Sequence, residues 1–320
     1  MTANAADGSP LPSRLPALRG AAMLRNAGAS IPPSWYVVAG ILSIQAGAGI
    51  AKNLFTVLPP SAVVWLRLLT SAVVLMALVR PRLRGHTRAD WLVAIGFGVC
   101  LATMNFSLYQ AIARIPLGIA VTIEFLGPLA VAVAGSRRRV DLLWVGLAAL
   151  GVVLLGYGDG HVTLAGVAFA LLAGAAWAGY ILLGAATGRR FPGTSGLAIA
   201  SVAGAVLVAP AGIAEGGAAL LDPRLVVIGL LVGLLSSVIP YTLEMHALRR
   251  MPPRVFSILM SLEPAAAALI GLLLLGEILT IGQWAAVACV VAASLGATRT
   301  ERTRAAREAG PPPAPDPGER

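Results

Sequence analysis

Charge is what this chain has least of. Only 12% of its 320 residues are Asp, Glu, Lys or Arg, while 58% are hydrophobic and the mean hydropathy is +0.83. An ordinary soluble domain carries about a quarter charged residues, so too little charge is present here to cover a water-facing surface. That excludes a soluble globule. Cysteine is almost missing: Cys100 and Cys289 both fall inside apolar runs, and they form neither a disulfide framework nor a zinc spacing. His86, His161 and His246 are scattered and give no i, i+4 metal pair. There is no G-x-S-x-G and no G-x-x-x-x-G-K-[ST]. "GYGDG" (156–160) has the glycines of a dinucleotide loop without the helix start or the downstream acid that loop needs. No enzyme, metal or cofactor is expected. Scarcest of all is lysine, since Lys52 is the only one among 24 basic residues.

What remains is apolar sequence in lengths that cross a bilayer, about 20 residues each. Apolar runs read against breakers give ten segments, near 36–57, 61–79, 91–113, 116–135, 140–157, 162–184, 194–214, 225–247, 254–275 and 280–298. The chain is therefore expected to be an all-α, multi-pass membrane protein. Its net charge of +10 is compatible with nucleic acid as a partner, but the arginines argue otherwise. They cluster between apolar runs: Arg80, Arg82, Arg84 and Arg88; Arg137 to Arg139; Arg189 and Arg190; Arg249, Arg250 and Arg254. Alternate connections carry them, as the positive-inside rule requires. With the tail that holds Arg14, Arg19 and Arg25 in the cytoplasm, the loops after segments 2, 4, 6 and 8 are cytoplasmic too. The opposite loops, "GYGDGH", "AEGGAALLDPR" and "LGEILT", carry more acid than base. Both termini are thus expected inside. Residues 1–34 form a basic tail without the apolar core of a cleaved signal peptide. From Arg299 onward a basic, then Pro-rich stretch reads as a disordered tail, 299–320.

The sequence also resembles itself. Shifted by 136, Arg114, Pro116, Leu126, Pro128 and Gly135 land on Arg250, Pro252, Leu262, Pro264 and Gly271, while Asp141 meets Glu277. Chance matches of Ala and Gly explain part of the overlap at this offset, but two prolines and an arginine less well. Because matching loops face opposite sides, the expectation is a five-plus-five inverted-topology repeat, residues 35–157 and 158–298. Transporters of that design bind near the midplane, where the repeats meet.

Ionisable groups inside such segments cost about 2.5–3.5 kcal/mol each at a helix centre, which makes them functional candidates. Glu124, about 12 Å into the fourth segment at 1.5 Å per residue, has no basic residue within a turn. It is suited to accept a proton or a substrate ammonium. Glu263 lies at similar depth in the ninth. Lys52, roughly 24 Å along the first segment, either meets a substrate or snorkels to the surface; Gln45 shares its face. Arg67, six residues into the second, either holds an anion or anchors at the interface. Asn105 and Tyr109 share one face of the third segment. Tyr180 on the sixth and Tyr241 on the eighth are further candidates, with aromatic packing as the alternative. Glu244 is expected to pair with Arg249 or Arg250, and Glu277 to start the last helix at its positive dipole end. Pro128 and Pro264 each free a carbonyl and bend their helices.

Several stretches resemble the bacterial threonine/homoserine exporters of the EamA branch of the drug/metabolite transporter superfamily. They are "SIQAGAGIAKNLF", "PLGIAVTIEFLGPLAVAVAG", "AAWAGYILLG" and "LEPAAAALIGLLLLGEILTIGQ". The resemblance spans roughly residues 36–298. It implies two EamA repeats, a bacterial inner-membrane location, and efflux of small amino acids such as threonine or homoserine by proton antiport and alternating access. Another metabolite or a drug as cargo is the alternative. In the expected mechanism the substrate's ammonium faces Glu124, the proton-coupling candidate, with Glu263 as a second acid. The carboxylate faces Lys52 or Arg67. Gln45, Asn105, Tyr109 and Tyr241 supply neutral hydrogen bonds. The partners are the lipid bilayer, protons and a small molecule, with no nucleic acid.

Overall fold

A computed structural model describes residues 32–134, 139–155, 162–248, 250–251 and 253–308. The N-terminal tail, Arg137 and Arg138, the 156–161 loop, Arg249 and everything beyond Glu308 lie outside the described residues.

Among the described residues every element is helical, and the ten expected segments are all present. They run α1 (Pro33–Leu54), α2 (Pro60–Val79), α3 (Arg88–Ile112), α4 (Leu117–Glu124) with α5 (Leu126–Ala134), α6 (Arg139–Leu155), α7 (Leu164–Gly188) and α8 (Ser195–Gly216). A 3-10 turn (Gly217–Leu221) leads to α9 (Pro223–Gly233), a π-turn (Leu234–Val238), α10 (Ile239–Leu248), α11 (Pro253–Met260) with α12 (Glu263–Leu275), and α13 (Ile281–Glu308). Seven helices or continuous helical runs are long and apolar enough to cross a membrane, and Leu117–Val131 and Ile281–Gly296 are shorter apolar helices. Their faces present large apolar side chains outward, Ile281 (90% exposed) and Leu164 (86%) among them, which suits hydrocarbon rather than water.

Local chemistry sets the ends. Pro33, Pro60 and Pro223 open their helices, where a missing N–H costs nothing. Thr87 caps α3 through a reciprocal pair: Asp90 N–H donates to Thr87 Oγ1 at 3.3 Å, and Asp90 accepts from Thr87 N–H at 2.9 Å. Prolines behave likewise inside the broken spans. The fourth is interrupted at Phe125 and the ninth at Ser261–Leu262, so Pro128 and Pro264 both fall in the first turn of a new helix rather than kinking an old one.

Small residues let the helices approach closely, as lipid-embedded bundles require. α3 packs against α7 and α8, α2 against α8 and α9, α1 against α10 and α12, α4 against α12, α5 against α7, and α6 against α13. A Cβ added at Gly127 of α5 would run into the Gly174 carbonyl of α7, and one at Gly118 of α4 would lie 2.6 Å from Ala268 Cα of α12. Two expectations change. Helix α13 continues through Glu308, past the point where a disordered tail was expected to begin, because the charged 299–308 stretch is also rich in good helix formers. Glu277 stands in the loop before α13 rather than in its first turn.

Candidate functional site

Two groups of polar residues occupy the bundle, one near its middle and one at the end where α1, α3 and α12 finish.

The middle group starts from two broken spans. Glu124 ends the short helix α4, and Glu263 opens α12; both are buried, at 4% and 6% exposure. Gln45, on the buried face of α1, donates Nε2–H to Glu263 Oε1 at 3.2 Å. Glu263 Oε2 and Gln45 Oε1 are both buried without a hydrogen-bond partner among the described residues. Buried acceptors left open are uncommon, and each asks for an explanation such as an absent ligand or water. Glu263 and Arg67 act on Glu124 electrostatically.

Arg67 turns into the bundle from α2 instead of reaching the interface. Its Nη2 donates to the Ser236 carbonyl at 3.1 Å, its Nε to Ser237 Oγ at 3.4 Å and its Nη1 to Tyr109 Oη at 3.4 Å. The guanidinium carbon lies 5.5 Å from the centre of the Tyr109 ring. All of these partners are neutral, and among the described residues Arg67 forms no ion pair. The Ser236 carbonyl is available for a specific reason. It lies four residues before Pro240, whose nitrogen has no hydrogen to give it, and the helix there loosens into the π-turn, with Ile239 N–H bonded to Leu234 O. Such π-bulges are frequent at functional sites. Helix α1 closes on this turn: Ser43 Oγ donates to the Leu235 carbonyl at 2.7 Å, and a Cβ at Gly47 would collide with Ser236 Oγ.

A cavity of about 150 Å³ follows from Arg67, lined by Ser71, Asn105, Tyr180, Ser236, Ser237, Tyr241 and Glu244 among others. It adjoins a second cleft of about 300 Å³ through Tyr180, Leu197 and Tyr241, which extends to Gly188 at the end of α7 and to Gly193 and Thr194 of the α7–α8 loop. The way in therefore lies on the side of Arg189 and Arg190. On the other side Ile112, Ile119 and Leu58 are fully buried in apolar packing.

Of the sequence-chosen residues, the structure brings Gln45, Arg67, Asn105, Tyr109, Glu124, Tyr180, Tyr241 and Glu263 into this middle group. Asn105 donates to the Leu101 carbonyl of its own helix at 2.8 Å, and Tyr180 packs on Phe97. Lys52 is elsewhere. Its ammonium meets Glu277 Oε1 at 2.6 Å and the Ile115 carbonyl at 2.7 Å. Glu277 Oε2 in turn accepts from Leu117 N–H at 2.7 Å. That carboxylate does sit at a helix N-terminus, but that of α4. Lys52 and Glu277 line a cleft of about 490 Å³ at that end of the bundle, with Arg114 and Gln283. Sequence reasoning placed Ser237 on the polar face of Tyr241 and Glu244 but passed over Ser236 and the site role of Glu244; Pro240 inside an apolar run was the signal for Ser236. No metal-holding cluster of His, Cys, Asp or Glu occurs among the described residues.

Comparison with known proteins fits this architecture. Residues 164–299 match the EamA-like transporter family. The chain is 43% identical to the threonine/homoserine exporter RhtA of Escherichia coli K12 over 277 residues, covering 84% of this chain and 94% of that protein. The Salmonella typhimurium LT2 protein of the same name is equally similar. An uncharacterized Bacillus subtilis transporter, YwfM, is 28% identical over 229 residues, 68% of this chain and 77% of that one. A crystal structure 20% identical in sequence shares the fold at a TM-score of 0.57, covering 85% of this chain and 99% of that one.

Proposed function

This chain belongs to the EamA branch of the drug/metabolite transporter superfamily, and from that premise we propose that it exports small amino acids of the threonine/homoserine kind. The observation that carries the reading is a half-buried guanidinium that forms no ion pair among the described residues and lies within electrostatic reach of two buried carboxylates. Together they are complementary to a zwitterion. The substrate carboxylate is taken by Arg67. Its ammonium faces Glu124 and Glu263, with the open Gln45 Oε1 as a further acceptor. Asn105, Tyr109, Tyr180, Tyr241 and Ser237 offer neutral hydrogen bonds to a side-chain hydroxyl.

The arginine-rich loops face the cytoplasm in this reading, both termini are inside, and the membrane is the bacterial inner membrane. The two sets of five segments form an inverted repeat. Helix pairings support it: exchanging segments one to five with six to ten turns α3–α7 into the packing of α1 on α10, and α5–α7 into α1–α12, while α2–α8, α4–α12 and α6–α13 map onto themselves. Access then alternates by rocking of the repeats. A proton reaching Glu124 from outside releases its hold on the ammonium and resets the carrier, which makes the cycle an antiport.

Replacing Glu124 with Gln tests the proposal. The protein should still reach the membrane while proton-driven efflux from loaded vesicles is lost; undiminished efflux removes Glu124 from the mechanism. A cationic metabolite or drug is the second reading, favoured by the fact that the acids of the middle group, Glu124, Glu244 and Glu263, outnumber its one arginine, Arg67. Competition in vesicles between threonine, homoserine and organic cations separates the two.

A further inference from the structure

The only lysine of the chain ends in a contact that the substrate site does not use. Its ammonium holds Glu277 and the Ile115 carbonyl at once, while the other oxygen of Glu277 holds Leu117 N–H. Three separate strands of chain are tied at one point: the end of α1, the α3–α4 connection and the α12–α13 loop. The first two belong to the first five segments and the third to the last five. Both charged side chains are largely covered, with 22% of Lys52 and 14% of Glu277 exposed, so the pair is less screened than a fully exposed one. The loop is shaped for it. Gly276 turns at φ 66°, and the carboxylate fills the space where a Cβ on Gly271 would stand. Arg114 lines the same cleft but takes no part, since Gln110 holds its guanidinium through two 2.6 Å contacts.

Position gives the contact its meaning. It lies over the closed end of the bundle, above Leu58, Ile112 and Ile119, whereas the cavity by Arg67 leads the other way. Glu277 also holds the first residue of α4, and α4 is eight residues long and ends on Glu124. A tie at one end of that short helix fixes the acid at its other end.

We propose that Lys52 and Glu277 form an outer clasp that keeps the exit side shut in this conformation and must part for the exit to open. Lys52 and Glu277 are positioning residues: they set which side of the bundle is closed and where Glu124 stands, without touching the substrate. The proposal rests on the transporter reading above, and its test uses no substrate, so failure of amino-acid efflux and failure of the clasp are read separately.

The test measures labelling by a membrane-impermeant maleimide in vesicles of either orientation. The background is C100A/C289A, with a single reporter cysteine at Ile119→Cys under the clasp or Leu197→Cys on the inner cavity. With the clasp intact, the first reporter should be protected from outside and the second reactive from inside. Lys52→Ala and Glu277→Gln should each speed outer labelling about tenfold, the change in population for about 1.4 kcal/mol, and slow inner labelling. Lys52→Arg should keep the parental pattern. Two disruptions are used so that either can be read if the other fails to reach the membrane, which immunoblotting of the membrane fraction decides. Labelling within twofold of the parent in both overturns the proposal. So does an outer increase without the inner decrease, which is local loosening, and so does an increase that Lys52→Arg shares.

Discussion

Replacing Arg67 with Lys keeps the charge and removes the fork. The guanidinium spends one nitrogen each on the Ser236 carbonyl, Ser237 Oγ and Tyr109 Oη, which fixes its plane and orients the remaining N–H groups. An ammonium on a flexible stem can satisfy only part of that set and cannot hold a carboxylate bidentately. One hydrogen bond to a charged group is worth about 1.5–3 kcal/mol, and about 1.4 kcal/mol is tenfold. The half-saturation concentration for the amino acid should therefore rise roughly tenfold to a hundredfold. The assay is counterflow in vesicles, run in parallel with threonine or homoserine and with the amino alcohol that lacks the carboxylate. Parental protein should discriminate strongly against the amino alcohol, and the Lys variant should lose most of that discrimination. An equal effect on both solutes would mean that Arg67 only supports the fold. An unchanged half-saturation for the amino acid would remove it from recognition altogether.

Pro240→Ala restores an N–H that competes for the Ser236 carbonyl, so Arg67 loses an acceptor and its fixed plane; the half-saturation should rise several-fold, and an unchanged value would discount the π-turn. Gly127→Ala drives a methyl into the Gly174 carbonyl, which cannot move aside as a side-chain tip can. It should cost about 1–3 kcal/mol and lower the melting temperature in detergent, and parental stability would contradict the close approach of α5 and α7. Glu263→Gln leaves the Gln45 contact possible through its amide oxygen but removes a charge beside Glu124; ammonium affinity should fall while membrane insertion persists, and wild-type counterflow would leave Glu124 as the sole acid.

Much of this protein was legible in one dimension because the bilayer imposes one-dimensional rules. Span length, the scarcity of charge and the alternation of arginine-rich loops follow from the cost of polar groups in hydrocarbon, so ten segments could be counted from composition and breakers. Glu124, Glu263 and Arg67 stood out for the same reason. Partnership could not be read this way. Lys52 and Glu277 are 225 positions apart, and their contact depends on where α1, α4 and the α12–α13 loop end in space. The bond from Arg67 to the Ser236 carbonyl depends on a π-turn and on an arginine from another helix. Insertion energy depends on what each residue is and how deep it lies, which sequence alone reveals. Whether a buried charge meets an opposite charge, a neutral dipole or an empty space depends on helix packing, and that is settled only in three dimensions.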